Sequence, residues 1–511
     1  MQTAVTAARR VVRSGRAALL VALLLASSCS EPTESVDVAP AAGRNLIILS
    51  LDTLRSDALA PYGAPAALSP NLARFAEESI VFTHARAQAP QTAPSHMSLF
   101  TSMLPSVHGV QNVQHGGGGP LIEPVPTSIP TLAEILTAAG YRSVGLTDGG
   151  NLNKAHGFPR GFEEYTVDLS GAQAQVDDGL AWLKDLGASS APYFLFWHTY
   201  EIHAPYVSPR EYMDRWESTD YEGPMSGRVN QLIDMNFRQR FSAMRSLFWV
   251  GKEKFGWPES AYLHSLYKAG VQFTDAQVGL LFDGMKKLGV FEDSIVIVLS
   301  DHGEEFFEHG QWQHDQVFEE CLRVPLMIHM PGGVGGGTRI NTPVALMDVM
   351  PTVLDLLGIE PSDLTRGSLP ESLPHMQGVS LAKSVLTGDE PASRPIVSEY
   401  RADREGSPLY DWQVAIYNEG LKYIVDEHRS RDGEKQSLFD LRKDPDEQLN
   451  LAERAPEVVQ RFRKLRSRFH EDVEALGNLD RLGSGQSLDC DELKQLVELG
   501  YLDGSVLKDC E

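Results

Sequence analysis

Short, nearly continuous apolar runs alternate along the chain with longer segments of helical periodicity. Runs with the length and composition of buried strands occupy residues 45–51, 193–197, 294–299 and 324–330. Helical patterns occupy residues 70–78, 129–139 and about 266–287. This alternation predicts an α/β fold in which a large, mostly parallel sheet is flanked by helices.

The pattern changes in two regions. Residues 208–262 are polar, rich in aromatics and without clear periodicity, so we interpret them as an insertion near the mouth of the site, with a substrate-selecting lid as one function. After residue 390, short runs predict antiparallel strands at 395–400, 412–417 and 421–426 and a helix at 457–475. We therefore expect a catalytic domain at 44–390, a smaller C-terminal α+β subdomain at 391–475 and a tail at 476–511.

The N-terminus has the organisation of an export signal. Four arginines precede an apolar stretch at 17–26, and Ala26-Ser-Ser-Cys29 resembles a bacterial lipobox. This predicts a lipoprotein signal peptide at 1–28 with Cys29 as the lipidated residue; a plain secretory signal is the alternative. Residues 29–43 are rich in Pro, Ala and acids and predict a tether. The protein is then expected at the bacterial cell envelope, periplasm-facing or on the surface, with the lipid anchor as its membrane contact.

Composition narrows the choice of partners. The 511 residues include 45 Lys and Arg against 69 Asp and Glu, a net charge of −24, which argues against nucleic acid. Cys321 precedes an apolar run and is expected to be a buried, unreactive side chain. Cys490 and Cys510 could pair in an oxidising compartment. The oligomeric state stays open.

Polar residues gather where three predicted strands end. Asp52 follows the first strand, His198 and His203 follow the second, and Asp301-His302 follows the third. A lone Asp in this position is often only a helix cap, but open α/β sheets bind their ligands at this edge. Asp52, Asp301 and neutral His302 would supply oxygen and nitrogen ligands for one divalent ion, with Ca, Mg, Mn and Zn all compatible.

Thr92 opens a further segment with chemical potential. Pro94 suits the first turn of a helix that would begin at Thr92. A hydroxyl there would face the positive end of the helix dipole and the metal, which favours its use as a nucleophile and as a metal ligand. The alternative is that Thr92 is simply an N-cap.

The run from Thr92 to Ser102 resembles the signature of the sulfatase family, in which a Cys or Ser followed by x-Pro-Ser-Arg is oxidised to formylglycine. The resemblance extends from about residue 44 to 475 and includes Asp52, Asp301-His302, Arg323-Val-Pro-Leu and the segments 346–357 and 438–451. It implies an alkaline-phosphatase-like fold and a metal-dependent sulfuric or phosphoric ester hydrolase. Its substrate would be an anionic ester, with an envelope or extracellular glycan or lipid as one source.

The chain departs from that signature at three positions. Thr92 stands at the Cys or Ser, His96 at the Arg, and Thr53 at the second aspartate, a loss shared by the phosphonate-ester branch of the superfamily. Oxidation of Thr would give a poorly hydrating ketone, so we expect no formylglycine and favour direct attack on phosphorus. A phosphoryl or phosphoglycerol-type transferase, a phosphodiesterase or a phosphonate-ester hydrolase are alternatives. A non-catalytic binding lipoprotein is a further one.

The resemblance also suggests roles for individual histidines. His203 would protonate the leaving group and His314 would bind the anionic group, while His96 would either orient Thr92 or contact the anion. Buried histidines are more often structural, and we expect that of the remaining candidates, His198, His309 and His329. Asp57 is expected to form a salt bridge or a cap.

Overall fold

The computed structural model describes residues 43–112, 114–116, 119–122, 124–217, 220–251, 254–364, 376–401, 412–427 and 435–476, with a few positions after 476. The predicted signal peptide, Cys29 and residues 29–42 of the tether lie outside the described residues, as does Cys510 of the predicted disulfide. Among the described residues, no helix is both long enough and apolar enough to cross a membrane.

The strands are, in chain order, β1 Asn45–Leu51, β2 Ile80–Arg86, β3 Gln114–Gly116, β4 Gly119–Ile122, β5 Arg142–Thr147, β6 Glu164–Val167, β7 Tyr193–Thr199, β8 Ser294–Leu299, β9 Glu305–Phe306, β10 Trp312–Gln313, β11 Arg323–His329, β12 Arg339–Ile340, β13 Val344–Ala345, β14 Ile396–Arg401, β15 Trp412–Asn418, β16 Leu421–Glu427, β17 Lys435–Asp440 and β18 Gln486–Ser487. The α-helices are α1 Pro70–Glu77, α2 Thr92–Thr101, α3 Pro105–His108, α4 Leu132–Ala138, α5 Ala172–Leu186, α6 Arg210–Trp216, α7 Pro224–Leu232, α8 Phe237–Ser242, α9 Trp257–Leu288, α10 Glu319–Leu322, α11 Val349–Leu357, α12 Ala382–Thr387 and α13 Pro456–Ala475.

The central sheet has the strand order β12-β2-β11-β8-β1-β7-β5-β6, and β13 also pairs with β2. β1 lies between β7 and β8 and is parallel to both, while β11 is antiparallel to both of its neighbours. The predicted mostly parallel α/β sheet is confirmed. The parallel arrangement brings the carboxyl ends of β1, β7 and β8 to one edge, where the predicted site residues follow.

Both faces of the sheet are covered, which explains why β1 is apolar at nearly every position. Leu46 and Ile48 belong to one hydrophobic core, and Ile47 and Leu49 belong to a second core on the opposite face. All four side chains have no exposed surface. Such a strand is held by burial on both sides, so it is a rigid platform for the residue that follows it.

Residues 208–262 are more regular than the sequence predicted. They contain α6, α7, α8, a π-helical turn at Met244–Phe248 and the first residues of α9. No periodicity is visible in the sequence of this segment because these helices are short. Asn236, for example, caps α8 by accepting a hydrogen bond from the Gln239 main chain, and the Gln239 side chain returns the interaction.

The C-terminal part is an antiparallel sheet in the order β14-β15-β16-β17. The helix α13 packs on it through Phe462, whose ring stacks on Tyr423 with centroids 5.6 Å apart. Side chains of this subdomain and of the central sheet share one hydrophobic core. The small antiparallel subdomain predicted from the sequence is therefore present and is packed firmly on the rest of the chain.

Candidate active site

The predicted site residues meet at the carboxyl edge of the central sheet. Asp52 comes directly after β1, and Asp301 lies two residues after β8. In the strand register, Ser50 of β1 stands opposite His198 of β7 and Leu299 of β8, so these positions lie side by side. The three polar clusters seen in the sequence thus form one site.

Asp52, Asp301 and His302 form a buried group suited to a divalent ion, which we call the active-site cluster. One potential ligand atom from each lies within 4.8 Å of the others. Oδ1 of Asp52 and both carboxylate oxygens of Asp301 are buried and accept no hydrogen bond. The Nδ1–H of His302 donates to the Gly303 carbonyl oxygen over 2.9 Å, which leaves the lone pair of Nε2 available for a metal. Orphaned buried oxygens beside such a nitrogen fit a bound cation.

The pKa values of the two aspartates also fit a bound cation. Burial, followed by the nearby Asp301 and Glu304, raises the pKa of Asp52 well above its usual range. Burial also raises the pKa of Asp301. Within the described part of the chain, neither aspartate forms an ion pair with a lysine or arginine. A divalent cation would offset this unbalanced negative charge.

Thr92 is the first residue of α2, and its hydroxyl points at the active-site cluster. Its Oγ1 lies 3.4 Å from Oδ2 of Asp52 and 3.4 Å from Nε2 of His302. The N-cap of the helix is Gln91, so the alternative that Thr92 is merely a cap does not hold. The hydroxyl stands instead at the positive end of a ten-residue helix, next to the proposed metal ligands.

His96 holds the helix in place and is sealed from solvent. Its Nδ1–H donates to the main-chain oxygen of Thr92 over 2.9 Å, and the Ser50 hydroxyl donates to its Nε2 over 2.9 Å. Burial lowers the pKa of His96. Of the two roles left open by the sequence, a neutral, fully buried ring that bonds to the Thr92 main chain fits orientation and does not fit contact with an anion.

His198 lies closer to the chemistry than the sequence suggested. Thr147 donates a hydrogen bond to its Nδ1 over 2.9 Å, and its Nε2 is 3.3 Å from Oδ2 of Asp52. Burial lowers the pKa of His198 well below its usual range. The expectation of a purely structural histidine is therefore incomplete, because this ring fixes the orientation of a proposed metal ligand.

His203 and His314 are each 8% exposed, whereas His96, His198 and His302 have no exposed surface. The ring centroids of His203 and His314 are 5.4 Å apart, and the His314 ring lies 4.3 Å from that of His302. The three rings therefore extend from the active-site cluster outward. The side chain of Phe241, on α8, also packs against His203, with centroids 5.5 Å apart. Part of the 208–262 segment thus packs against one of the candidate site histidines.

Glu304 is a site residue that the sequence reasoning missed. Its Oε1 lies 3.1 Å from Nδ1 of His314. Burial alone would lower the pKa of His314, but the Glu304 carboxylate outweighs burial, and the pKa is raised. The intervening Gly303 must lack a side chain, since a Cβ there would lie 1.9 Å from the Glu320 main-chain oxygen. The only indication in the sequence is the position of Glu304 two residues after His302.

The remaining candidates lie elsewhere. Asp57 forms a bidentate ion pair with Arg55, as expected. Cys321 is fully buried, as expected. His329 is also buried, and its Nδ1 hydrogen-bonds to the Glu78 main-chain oxygen. His309 stacks on Phe318, outside the active-site cluster.

Two family models and a curated relative match most of the chain. A family model described as Sulfatase matches residues 44–359, and a model described as N-sulphoglucosamine sulphohydrolase, C-terminal, matches residues 307–475. The chain is 29% identical to a choline-sulfatase of Rhizobium meliloti (strain 1021) over 485 residues, covering 84% of this chain and 87% of the relative.

Two solved structures share the fold. One, solved in complex with its substrate D-glucosamine-2-N,6-O-disulfate, has a TM-score of 0.66 at 18% identity and covers 85% of this chain and 99% of its own. The other, a phosphonate monoester hydrolase of Agrobacterium radiobacter, has a TM-score of 0.63 at 20% identity and covers 85% of this chain and 95% of its own. At these identities, the likeness speaks for the fold alone.

Proposed function

The chain belongs to the sulfatase family of the alkaline phosphatase superfamily, and on that premise we propose that it is a metal-dependent hydrolase of anionic esters with Thr92 as an unmodified nucleophile. The observation that carries the proposal is the position of the Thr92 hydroxyl, 3.4 Å from both Asp52 and His302. That hydroxyl is 2% exposed and opens a helix beside orphaned carboxylate oxygens. The helix N-terminus and a divalent ion held by those oxygens would both favour the alkoxide of Thr92.

Asp52, Asp301, His302 and the Thr92 oxygen would hold the divalent ion. When bound, the ion would supply the positive charge that favours deprotonation of Thr92 and offsets the charge of the ester. His198 and His96 would orient two of these groups, since His198 lies against Asp52 and His96 is hydrogen-bonded to the Thr92 main chain. With the Thr92 oxygen and an oxygen of the ester added to the two carboxylates, this shell is rich enough in oxygen for Ca and Mg as well as for Mn and Zn.

The identity of the nucleophile bears on the substrate. A threonine side chain carries a methyl group on the carbon that would have to become an aldehyde, so its oxidation ends at a ketone. Direct attack on phosphorus needs no such modification. The Thr92 Oγ–P bond forms, the bond from phosphorus to the leaving oxygen breaks, and water then releases the phosphoryl group from Thr92. Thr92 therefore favours phosphate or phosphonate esters over sulfate esters, although a choline-sulfatase is among the relatives.

His314 and His203 would handle charge and protons. The imidazolium of His314, held by Glu304, would bind the anionic group of the ester. Burial, and next His314, lower the pKa of His203 to about 3, so His203 is neutral in the free protein. An anionic ester bound beside it would raise that pKa and allow His203 to protonate the leaving oxygen.

A panel of substrates tests the proposal. Aryl phosphate monoesters, phosphate diesters, phosphonate esters and sulfate esters would be assayed with the wild type, Thr92→Ala and Thr92→Ser. We expect a phosphorus ester to be the best substrate and Thr92→Ala to lose about 10³-fold or more in kcat, as nucleophile removal does elsewhere. Thr92→Ser keeps the hydroxyl and is the matched control, so it should retain most of the activity.

Two results would contradict the proposal at different points. Full activity of Thr92→Ala would remove Thr92 as the nucleophile. A sulfate ester as the best substrate would leave the hydrolase intact and overturn the argument from threonine chemistry. Acid quenching during turnover, followed by mass spectrometry, should reveal phosphorylated Thr92 in the wild type and none in Thr92→Ala.

A further inference from the structure

A second group of potential metal ligands lies where the C-terminal subdomain meets the hairpin β9–β10. It consists of His309 in the hairpin loop, Glu320 in α10 and Glu447 in the loop after β17, and we call it the second cluster. One ligand atom from each of these residues lies within 4.8 Å of the others. Bonds of roughly 2.0–2.2 Å to one ion separate ligand atoms by about 3–4 Å, so small side-chain movements would close the group around a cation.

Two of the ligand atoms are buried without a partner. Oε1 of Glu320 and Nε2 of His309 accept or donate no hydrogen bond. They lie 3.5 Å apart, too far for a good hydrogen bond, and the Glu320 side chain is only 8% exposed. A buried carboxylate oxygen that faces an unpartnered imidazole nitrogen is costly unless something lies between them.

The cations nearby are already engaged. Lys422 pairs with Glu447 over 2.9 Å and with Glu319 over 3.2 Å, and Arg86 pairs with Glu319 over 2.8 Å. In the described part of the chain, no lysine or arginine forms an ion pair with Glu320. Burial, followed by the negative charge of neighbouring acids, accordingly raises the pKa of Glu320 well above its usual range.

The histidine of the group is held in a fixed orientation. The ring of His309 stacks on Phe318 with centroids 3.6 Å apart and planes 3° from parallel. The His309 main-chain N–H donates to Glu305 over 2.8 Å, which fixes the loop as well. The nitrogen that faces Glu320 therefore loses little freedom when a ligand binds.

We propose that His309, Glu320 and Glu447 bind a second divalent cation of the zinc or manganese type. One imidazole nitrogen with two carboxylates suits these ions better than the all-oxygen shells preferred by calcium and magnesium. The ion would connect the C-terminal subdomain, through Glu447, to the hairpin that leads to His314. This second site is separate from the active-site cluster and would stabilise the structure without taking part in the reaction.

Titration with Co²⁺, whose visible spectrum reports coordination by nitrogen and oxygen, tests this proposal. We expect two equivalents to bind to the wild type, one to Asp301→Asn, one to Glu320→Gln and none to the double variant. Glu419→Gln changes a carboxylate that is 63% exposed, and it should bind two equivalents as the matched control. Zn²⁺ should raise the Tm of Asp301→Asn but not that of Asp301→Asn combined with His309→Gln.

The proposal is overturned if Asp301→Asn binds no Co²⁺, or if Glu320→Gln and His309→Gln both bind as many equivalents as the wild type. His309→Gln covers the case in which Glu320→Gln does not fold. Because Asp301→Asn removes a ligand of the active-site cluster only, its stoichiometry reports on the second cluster whether or not the proposed hydrolase activity is found.

Discussion

In the active site, Asp52 and Asp301 are buried and, among the described residues, form no ion pair with a lysine or arginine, whereas the largely buried Glu319 lies between Arg86 and Lys422. Burial raises the pKa of Asp52, and the nearby Asp301 adds to that rise. Burial acts on Glu319 in the same direction, but Arg86 and Lys422 outweigh it and lower the pKa to about 2. In the described part of the chain, the negative charge of the active-site aspartates is therefore not balanced by a basic side chain, whereas that of Glu319 is balanced by Arg86 and Lys422.

The presence or absence of a basic partner distinguishes two kinds of buried carboxylate: those suited to bind a cation and those that stabilise the fold through ion pairs. A carboxylate matched by Arg86 and Lys422 has no need of an added cation, and its role is to join α10 to the C-terminal sheet. Carboxylates without such partners persist only if a bound ion or a proton offsets their charge. Glu320 lies beside the compensated group yet shares the condition of Asp52 and Asp301, which is why the second cluster is a candidate ion site.

Replacing Lys422, the buried lysine that pairs with Glu319 and Glu447, should destabilise this part of the protein. Of the changes considered, we expect this one to have the largest effect on stability. Lys422→Met leaves Glu447 buried without a basic partner and should lower the free energy of unfolding by about 3–5 kcal/mol, as breaking a buried pair does. Urea unfolding would measure it. Arg142→Met is the control, because Arg142 pairs with the half-exposed Glu163 and should cost about 1 kcal/mol or less. Equal losses in the two variants would show that burial does not govern these pairs.

The contrast also explains which residues could be predicted from the sequence. Asp52, Asp301 and His302 directly follow apolar runs, so local pattern and strand topology suffice to bring them together. The contact between Glu319 and Glu447 spans 128 positions and depends on how the C-terminal subdomain docks. Nothing in the local sequence indicates such a partner. The roles given to Thr92, His203 and His314 stay predictions until they are tested.

Two strands of the central sheet, β2 and β5, were not predicted from the sequence, and local sequence features explain why. β2 carries Thr83, His84 and Arg86, which interrupt its apolar run. β5 contains Gly145, which weakens the strand pattern. The structure explains that glycine, since a Cβ there would lie 2.4 Å from the Tyr165 ring. Close packing against the Tyr165 ring therefore requires a glycine in β5, and that glycine weakens the pattern from which the strand could have been predicted.

Removing the ion from the active-site cluster should leave Asp52 and Asp301 without a compensating charge. We expect an intermediate effect on the free energy of unfolding. In the Glu320→Gln background, which leaves only the active-site cluster, a divalent ion at about a hundred times its Kd should add about 2.7 kcal/mol to the free energy of unfolding. Urea unfolding with and without EDTA would measure this difference. Asp301→Asn in the same background should lose the response. A Glu320→Gln protein that neither binds an ion nor responds to EDTA would favour the non-catalytic binding lipoprotein.

The smallest effect is expected at His96, where a neutral histidine supports the nucleophile. His96→Gln disrupts the hydrogen bonds to Ser50 and the Thr92 main chain and should cost about 1–3 kcal/mol of stability. Because His96 is fully buried, kcat should fall while KM stays near the wild-type value. His329→Gln is the matched control: this buried histidine also bonds to a main-chain oxygen, that of Glu78, and its loss should affect stability alone. A rise in KM larger than the fall in kcat would mean that His96 contacts the anion after all, and that its fully buried position changes when substrate binds.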